Sequence, residues 1–81
     1  MYTDAYASMI QTLVQHRKAA GVTQAELGRR IGKSQPFISE IETRERRLDL
    51  LEFYVLARGI GVDPVAIFAA ITSDLPPEIR I

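Results

Sequence analysis

Residues 23 to 42, TQAELGRRIGKSQPFISEIE, constrain the chain more than any other stretch. Thr23 stands at an N-cap position, and Glu26 three residues later gives the pattern of a capping box, in which two side chains satisfy two orphan amides. A helix then runs from Gln24 to Ile31, with Leu27 and Ile31 inward at i,i+4. Gly32 ends it and supplies a turn. Ser34 is placed to cap a second short helix. Pro36 falls at the second position of that helix, where its missing N–H has no intrahelical partner to lose, and Phe37 keeps the amide that the serine needs. Ile38 and Ile41 point inward, while Gln35, Pro36, Ser39 and Glu40 share one exposed strip.

The flanking residues read as three further helices. From Thr3 or Asp4 to Ala20 there is no proline or glycine. Met9, Leu13, His16 and Ala20 fall on one stripe there, with Tyr6 and Ile10 beside it, and Gly21 closes the helix. His16, the one histidine, is expected to pack at the edge of the core with a local hydrogen bond. Residues 43 to 47, TRERR, form a charged connection. Asp49 and Glu52 make a second capping box, opening a helix through Arg58 with Leu51, Val55, Leu48 and Phe53 supplying apolar contacts. Gly59 and Gly61 are expected to end it. Asp63 and Pro64 are an N-cap followed by proline at the first position, so a fifth helix runs from Pro64 to about Ile71. Residues 75 to 81, with Pro76 and Pro77, read as an extended tail after a domain of residues 1 to 74.

The expected class is therefore all-α, a compact five-helix domain containing a helix-turn-helix, the motif whose second helix enters the major groove of DNA. Eighty-one residues make one domain, which at this size buries only about 60% of its unfolded surface. The 47% apolar content is high for such a chain and points to a partner surface. With no cysteine, disulfides and thiolate ligands are excluded. No leader pattern and no apolar run of about 18 residues are present, so the expectation is a cytoplasmic protein with no membrane partner, nucleoid-associated when bound.

Net charge is zero, but it is unevenly distributed. Residues 17 to 47 carry eight cations (Arg17, Lys18, Arg29, Arg30, Lys33, Arg44, Arg46, Arg47) against four carboxylates, and the flanks carry the compensating acidic excess. A basic centre fits one face addressed to phosphate. Lys33 is a candidate for that role, and Arg29 a weaker one. No paired carboxylates with a cleft, no nucleophile and base, no Gly-rich phosphate loop and no metal-ligand set can be found, so neither an enzyme nor a cofactor is expected.

RKAAGVTQAELGRRIGKSQPFISEIE and ERRLDLLEF…LARGIGVDP, agreeing in order and spacing, closely resemble the Cro/phage-repressor type of helix-turn-helix domain, the xenobiotic-response-element family of small bacterial and phage regulators. The resemblance covers roughly residues 9 to 70 and implies a lambda-repressor-like fold, a homodimer and a double-stranded DNA operator with two half-sites. Residue by residue, it implies that Gln24 binds a backbone phosphate at a helix N-terminus and that Gln35 is the first reading residue, able to pair with adenine N6 and N7. Pro36, Ser39 and Glu40 match positions facing base edges or flanking phosphates. Arg46 and Arg47 match the loop that touches phosphate. Lys33, Ser34 and Arg44 complete the candidate DNA-binding set. Arg17 and Glu42 match a pair that ties the first helix to the end of the third. Two positions depart from the pattern. Glu40 stands where relatives often carry a basic or amide side chain, although a carboxylate can accept from cytosine N4. Arg44 stands where they often have glycine, so it either takes a left-handed conformation at roughly 1 kcal/mol or reroutes the loop. Phe37 either packs against the second helix or meets a thymine methyl.

The function expected is a sequence-specific DNA-binding regulator, a repressor, acting as a homodimer through the apolar residues of the fifth helix and tail: Val65, Ile67, Phe68, Ile71, Leu75, Ile79 and Ile81. The alternative is a protein-interaction module, such as an antitoxin or co-regulator within a larger complex.

Overall fold

The structure is a computed structural model that describes residues 4 to 81. It contains five helices: α1 (Asp4–Ala19), α2 (Gln24–Ile31), α3 (Gln35–Glu42), α4 (Leu50–Ile60) and α5 (Pro64–Ser73). The expected start of α1 at Thr3 lies outside the described residues. α2 and α3 form the helix-turn-helix, α1 and α4 pack against it, and α5 packs on α1 and α4.

Local chemistry sets the boundaries. Thr23 accepts from the Glu26 amide at 3.0 Å, Ser34 from Phe37 at 3.3 Å, Asp49 from Glu52 at 2.7 Å and Asp63 from Val65 at 3.0 Å. The capping box is reciprocal only at Asp49, where the Glu52 carboxylate also accepts from the Asp49 amide. At Thr23 it is half-formed, because the Glu26 carboxylate turns to Arg29 and Arg30 instead. Gly32 and Gly61 stop α2 and α4 with φ of 75° and 96°.

The core is one cluster drawn from every helix, including Ile10, Leu13, Leu27, Ile38, Ile41, Leu56, Ile60, Ile67 and Ile71, with Val22 from the α1–α2 turn. Several expectations need correction. Ala20 lies beyond α1 and is exposed; the buried residue of that turn is Arg17. Leu51 and Val55 face outward, at 72% and 38% exposure, because the inward stripe of α4 is Leu56, Ala57 and Ile60, with Phe53 half-buried. Gly59 sits inside α4 rather than ending it: a Cβ there would lie 2.6 Å from Ile31 Cγ2 and 2.8 Å from Leu27 Cδ1, so its bareness lets α2 and α4 approach. Among the described residues no single helix is long and apolar enough to cross a membrane.

Candidate nucleic-acid interface

Arg17 and Glu42 lie at the centre of the site. The Arg17 guanidinium is forked onto the carboxylate, Nε to Oε2 at 2.6 Å and Nη2 to Oε1 at 2.9 Å. Its remaining Nη1 donates to the Val22 carbonyl at 2.7 Å. Three elements are thereby pinned together: the end of α1, the turn before α2, and the last residue of α3. The two side chains are only 8% and 11% exposed, so the pair is nearly desolvated, and the bidentate geometry compensates for lost hydration.

From Glu42 a chain of hydrogen bonds runs to the surface. Gln24 donates from Nε2 to Glu42 Oε1 at 2.8 Å, and Gln35 donates from Nε2 to Gln24 Oε1 at 2.6 Å. Both glutamines are the first residues of their helices, which the turn at Gly32 brings side by side. Thr23 takes the Glu26 amide, and the amides of Gln24 and Ala25, which have no intrahelical acceptor, remain available for an anion beside Gln24.

On the outer face of α3, Gln35, Pro36 and Glu40 are exposed and Ser39 is half-buried. The Ser34 hydroxyl is engaged as the cap of the helix. The Glu40 carboxylate has no hydrogen-bonding or ionic partner among the described residues. Phe37 is half-buried and packs against the core. Two cations approach its ring, Lys33 Nζ at 5.1 Å and Arg46 Cζ at 4.6 Å from the centroid. One aromatic ring therefore gathers a cation from before α3 and another from after it. Arg46 is also held by Glu52, Nη2 to Oε2 at 2.6 Å. Arg47 sits over the Tyr6 ring at 5.4 Å, and the Tyr6 hydroxyl accepts from the Leu48 amide at 3.0 Å, anchoring the end of the loop to α1.

Arg44 takes the left-handed conformation, φ 66°, with its amide bonded to the Ile41 carbonyl at 3.1 Å, so it closes α3 where glycine would be unstrained. It is exposed beside the candidate face. Arg29 and Arg30 form ion pairs within α2. Both are tied to Glu26, and Arg30 also donates to the Gly59 carbonyl at 2.9 Å. The hydrogen bond from Arg29, then that from Arg30, holds the Glu26 carboxyl far below its usual range, at about 2. The Asp49 amide and then Arg46 likewise lower Glu52. Part of the basic excess counted along the sequence is thus neutralised internally.

Sequence reasoning missed the link from Glu42 through Gln24 to Gln35. Its signal was present, a glutamine immediately after each N-cap, but nothing local shows that the two side chains meet. The structure also corrects the proposed contact set on α5. Ile67 and Ile71 are 1% and 2% exposed in the core and face away from any partner, whereas Val65, Phe68, Ile79 and Ile81 are exposed and Leu75 is half-buried. His16 donates from Nδ1 to the Thr12 carbonyl at 2.9 Å, a local structural contact.

Residues 13 to 67 match a family described as helix-turn-helix. The chain belongs to this family. A solved structure, an XRE-family like protein from Pseudomonas syringae pv. tomato str. DC3000, is 43% identical, covers 89% of this chain and 88% of its own length, and superposes with a TM-score of 0.83. Among curated proteins none matches. The XRE-type helix-turn-helix domain is that of a DNA-binding regulatory protein, and its five-helix arrangement is shared with the Pseudomonas structure.

Proposed function

We propose that the chain is a sequence-specific transcriptional repressor that binds a two-fold operator as a homodimer, with α3 in the major groove. One observation carries this reading: the exposed strip Gln35, Pro36, Ser39 and Glu40 stands on a helix locked by the Arg17–Glu42 fork, with Lys33, Arg44, Arg46 and Arg47 flanking it. Gln24 and the loop cations address phosphate and set register, while the strip addresses base edges. A single module of this size buries only about 600–1,000 Å² on DNA, so two-fold binding supplies affinity and specificity.

The dimer face is the outer surface of α4 and α5, built on exposed Leu50, Tyr54, Val65 and Phe68, joined by the tail residues Leu75, Ile79 and Ile81. Sedimentation at micromolar protein is expected to show a dimer that Val65→Glu dissociates; a monomer that persists on DNA would remove the two-fold model.

Selection from a randomised duplex pool at physiological salt should return a symmetric site with half-site centres roughly 34–36 Å apart. Affinity should fall steeply with salt. Gln35→Ala should change sequence preference, and Arg47→Ala should weaken all sequences alike. Unchanged binding in both variants would defeat the recognition-helix account.

A second reading, a module held by another protein, is favoured by exposed Leu51 and Val55, which border an apolar groove with Ile31 and Phe37 away from the α5 face. Binding to this chain that is insensitive to salt and absent for DNA would support it.

A further inference from the structure

We infer that the groove between α2 and α4 is a docking site for an acidic amphipathic helix of a partner protein. Its floor is apolar, lined by Ile31 of α2, Phe37 of α3, and Leu51, Val55 and Leu56 of α4. Leu51 and Val55 are 72% and 38% exposed, leaving aliphatic surface in water that a partner would cover favourably. Leu51, Val55 and Arg58 stand at i, i+4 and i+7, so they form one stripe along α4. Beyond Ile31 and Val55 the groove continues to Arg30 and Arg58, in the last turns of α2 and α4.

Charge selects the occupant. The cations lining the groove are Lys33 at one end and Arg30 and Arg58 at the other. Arg58 has no hydrogen-bonding or ionic partner among the described residues. Arg30 is held at the groove by the Gly59 carbonyl and shares the single Glu26 carboxylate with Arg29, so a cationic excess remains. Glu52, which also lines the groove, is already taken by Arg46 and the Asp49 amide. A DNA backbone does not suit this surface, because the floor is apolar and Arg30 lies at the end of α2 opposite Gln24. An amphipathic helix does: apolar anchors at i, i+3 or i+4 and i+7 fill the floor, and carboxylates towards its ends meet Lys33 and the two arginines. None of Gln35, Pro36, Ser39 and Glu40 lines the groove, so partner and operator can be held at once. Such a helix is the partner that the protein-held reading of this groove calls for, and its docking does not rest on operator recognition.

A displayed library of random peptides of about 14 residues, roughly four helical turns, is selected against the intact chain at physiological salt. Enriched peptides should carry net negative charge and apolar residues at i, i+3 or i+4 and i+7. A synthetic copy of the most enriched peptide should shift the amide NMR signals of Ile31, Leu51, Val55 and Arg58, both in the free chain and with the duplex recovered by pool selection bound. Val55→Glu and Arg58→Glu should each bind it about tenfold more weakly, the scale of one strong contact, while Val65→Glu binds it as the unmodified chain does. Arg58 is exposed and unpaired among the described residues, so its variant reports docking and not folding. The same peptide with lysine in place of its carboxylates should bind Arg58→Glu better than the unmodified chain. Enriched peptides that are neutral or basic, no enrichment at all, or shifts confined to α5 overturn the proposal. So does dissociation of the dimer by Val55→Glu in sedimentation, which would assign the groove to a second copy of the chain. If the pool returns no duplex, the operator reading falls, and the peptide measurement on the free chain still decides the docking site.

Discussion

Arg17 is the residue whose environment departs furthest from its chemistry, a guanidinium buried to 6% exposure in a domain of this size. All three of its donor groups are used, on Glu42 and the Val22 carbonyl. Removing one member of such a pair leaves the other desolvated and alone, so Arg17→Met should cost about 3–5 kcal/mol, measurable by urea denaturation. Arg44 lies at the opposite extreme, exposed but conformationally strained at φ 66°. Arg44→Gly should relieve roughly 1 kcal/mol of strain and raise the melting temperature by about 4–8 °C. If Arg44 also addresses phosphate, the same variant binds DNA with a shallower salt dependence, readable in the titrations that measure affinity.

At the scale of elements, caps decide where helices begin and glycines decide how closely they pass. Gly28 lies inside α2, where alanine would ordinarily be the better helix former. A Cβ at that position would meet the Lys33 carbonyl oxygen at 2.6 Å, and that atom belongs to the backbone of the turn itself. Gly28→Ala should therefore destabilise the domain by about 1–3 kcal/mol as an overpacked contact, observed as a lower melting temperature despite higher helix propensity. Gly28 and Gly59 do not mark helix ends, and for one reason. Both are buried or half-buried inside helices where another segment comes too near for a side chain. α4 is apolar on two faces, with Leu56, Ala57 and Ile60 inward and Leu50, Leu51, Tyr54 and Val55 outward. A surface helix normally turns a polar face to water, which is why the proposed partner surfaces lie along it.

Across the whole molecule, charge is less free than a count along the sequence suggests. Glu26 and Glu52 titrate in the fold below their ordinary value, the first at about 2 against 4.5. A carboxyl depressed by folding stabilises the protein above its unfolded value, and that contribution is lost as pH falls through the folded one. Thermal melts should therefore show stability declining as pH drops from 4.5 towards 2, with a flatter decline in Glu26→Gln. An equally steep decline in that variant would place the acid sensitivity elsewhere.

Helix order, the four N-caps and the stops at Gly32 and Gly61 were legible in the sequence because each depends on residues within a turn or two of the boundary. The exposed strip of α3 was legible for the same reason, since 3.6-residue periodicity alone separates Gln35 and Glu40 from Ile38 and Ile41. The tertiary structure decided everything that needs two helices to meet. It set which apolar residues of α4 and α5 turn inward, because both helices are apolar nearly all round and periodicity has no polar face to read. It also committed Arg46 to Phe37 and Glu52, and it joined Glu42, Gln24 and Gln35 into one directed chain. Those contacts span six to eighteen residues of sequence and exist only at the angle at which the helices cross. The sequence by itself determined a helix-turn-helix; how the first residue of its second helix is held was settled by packing.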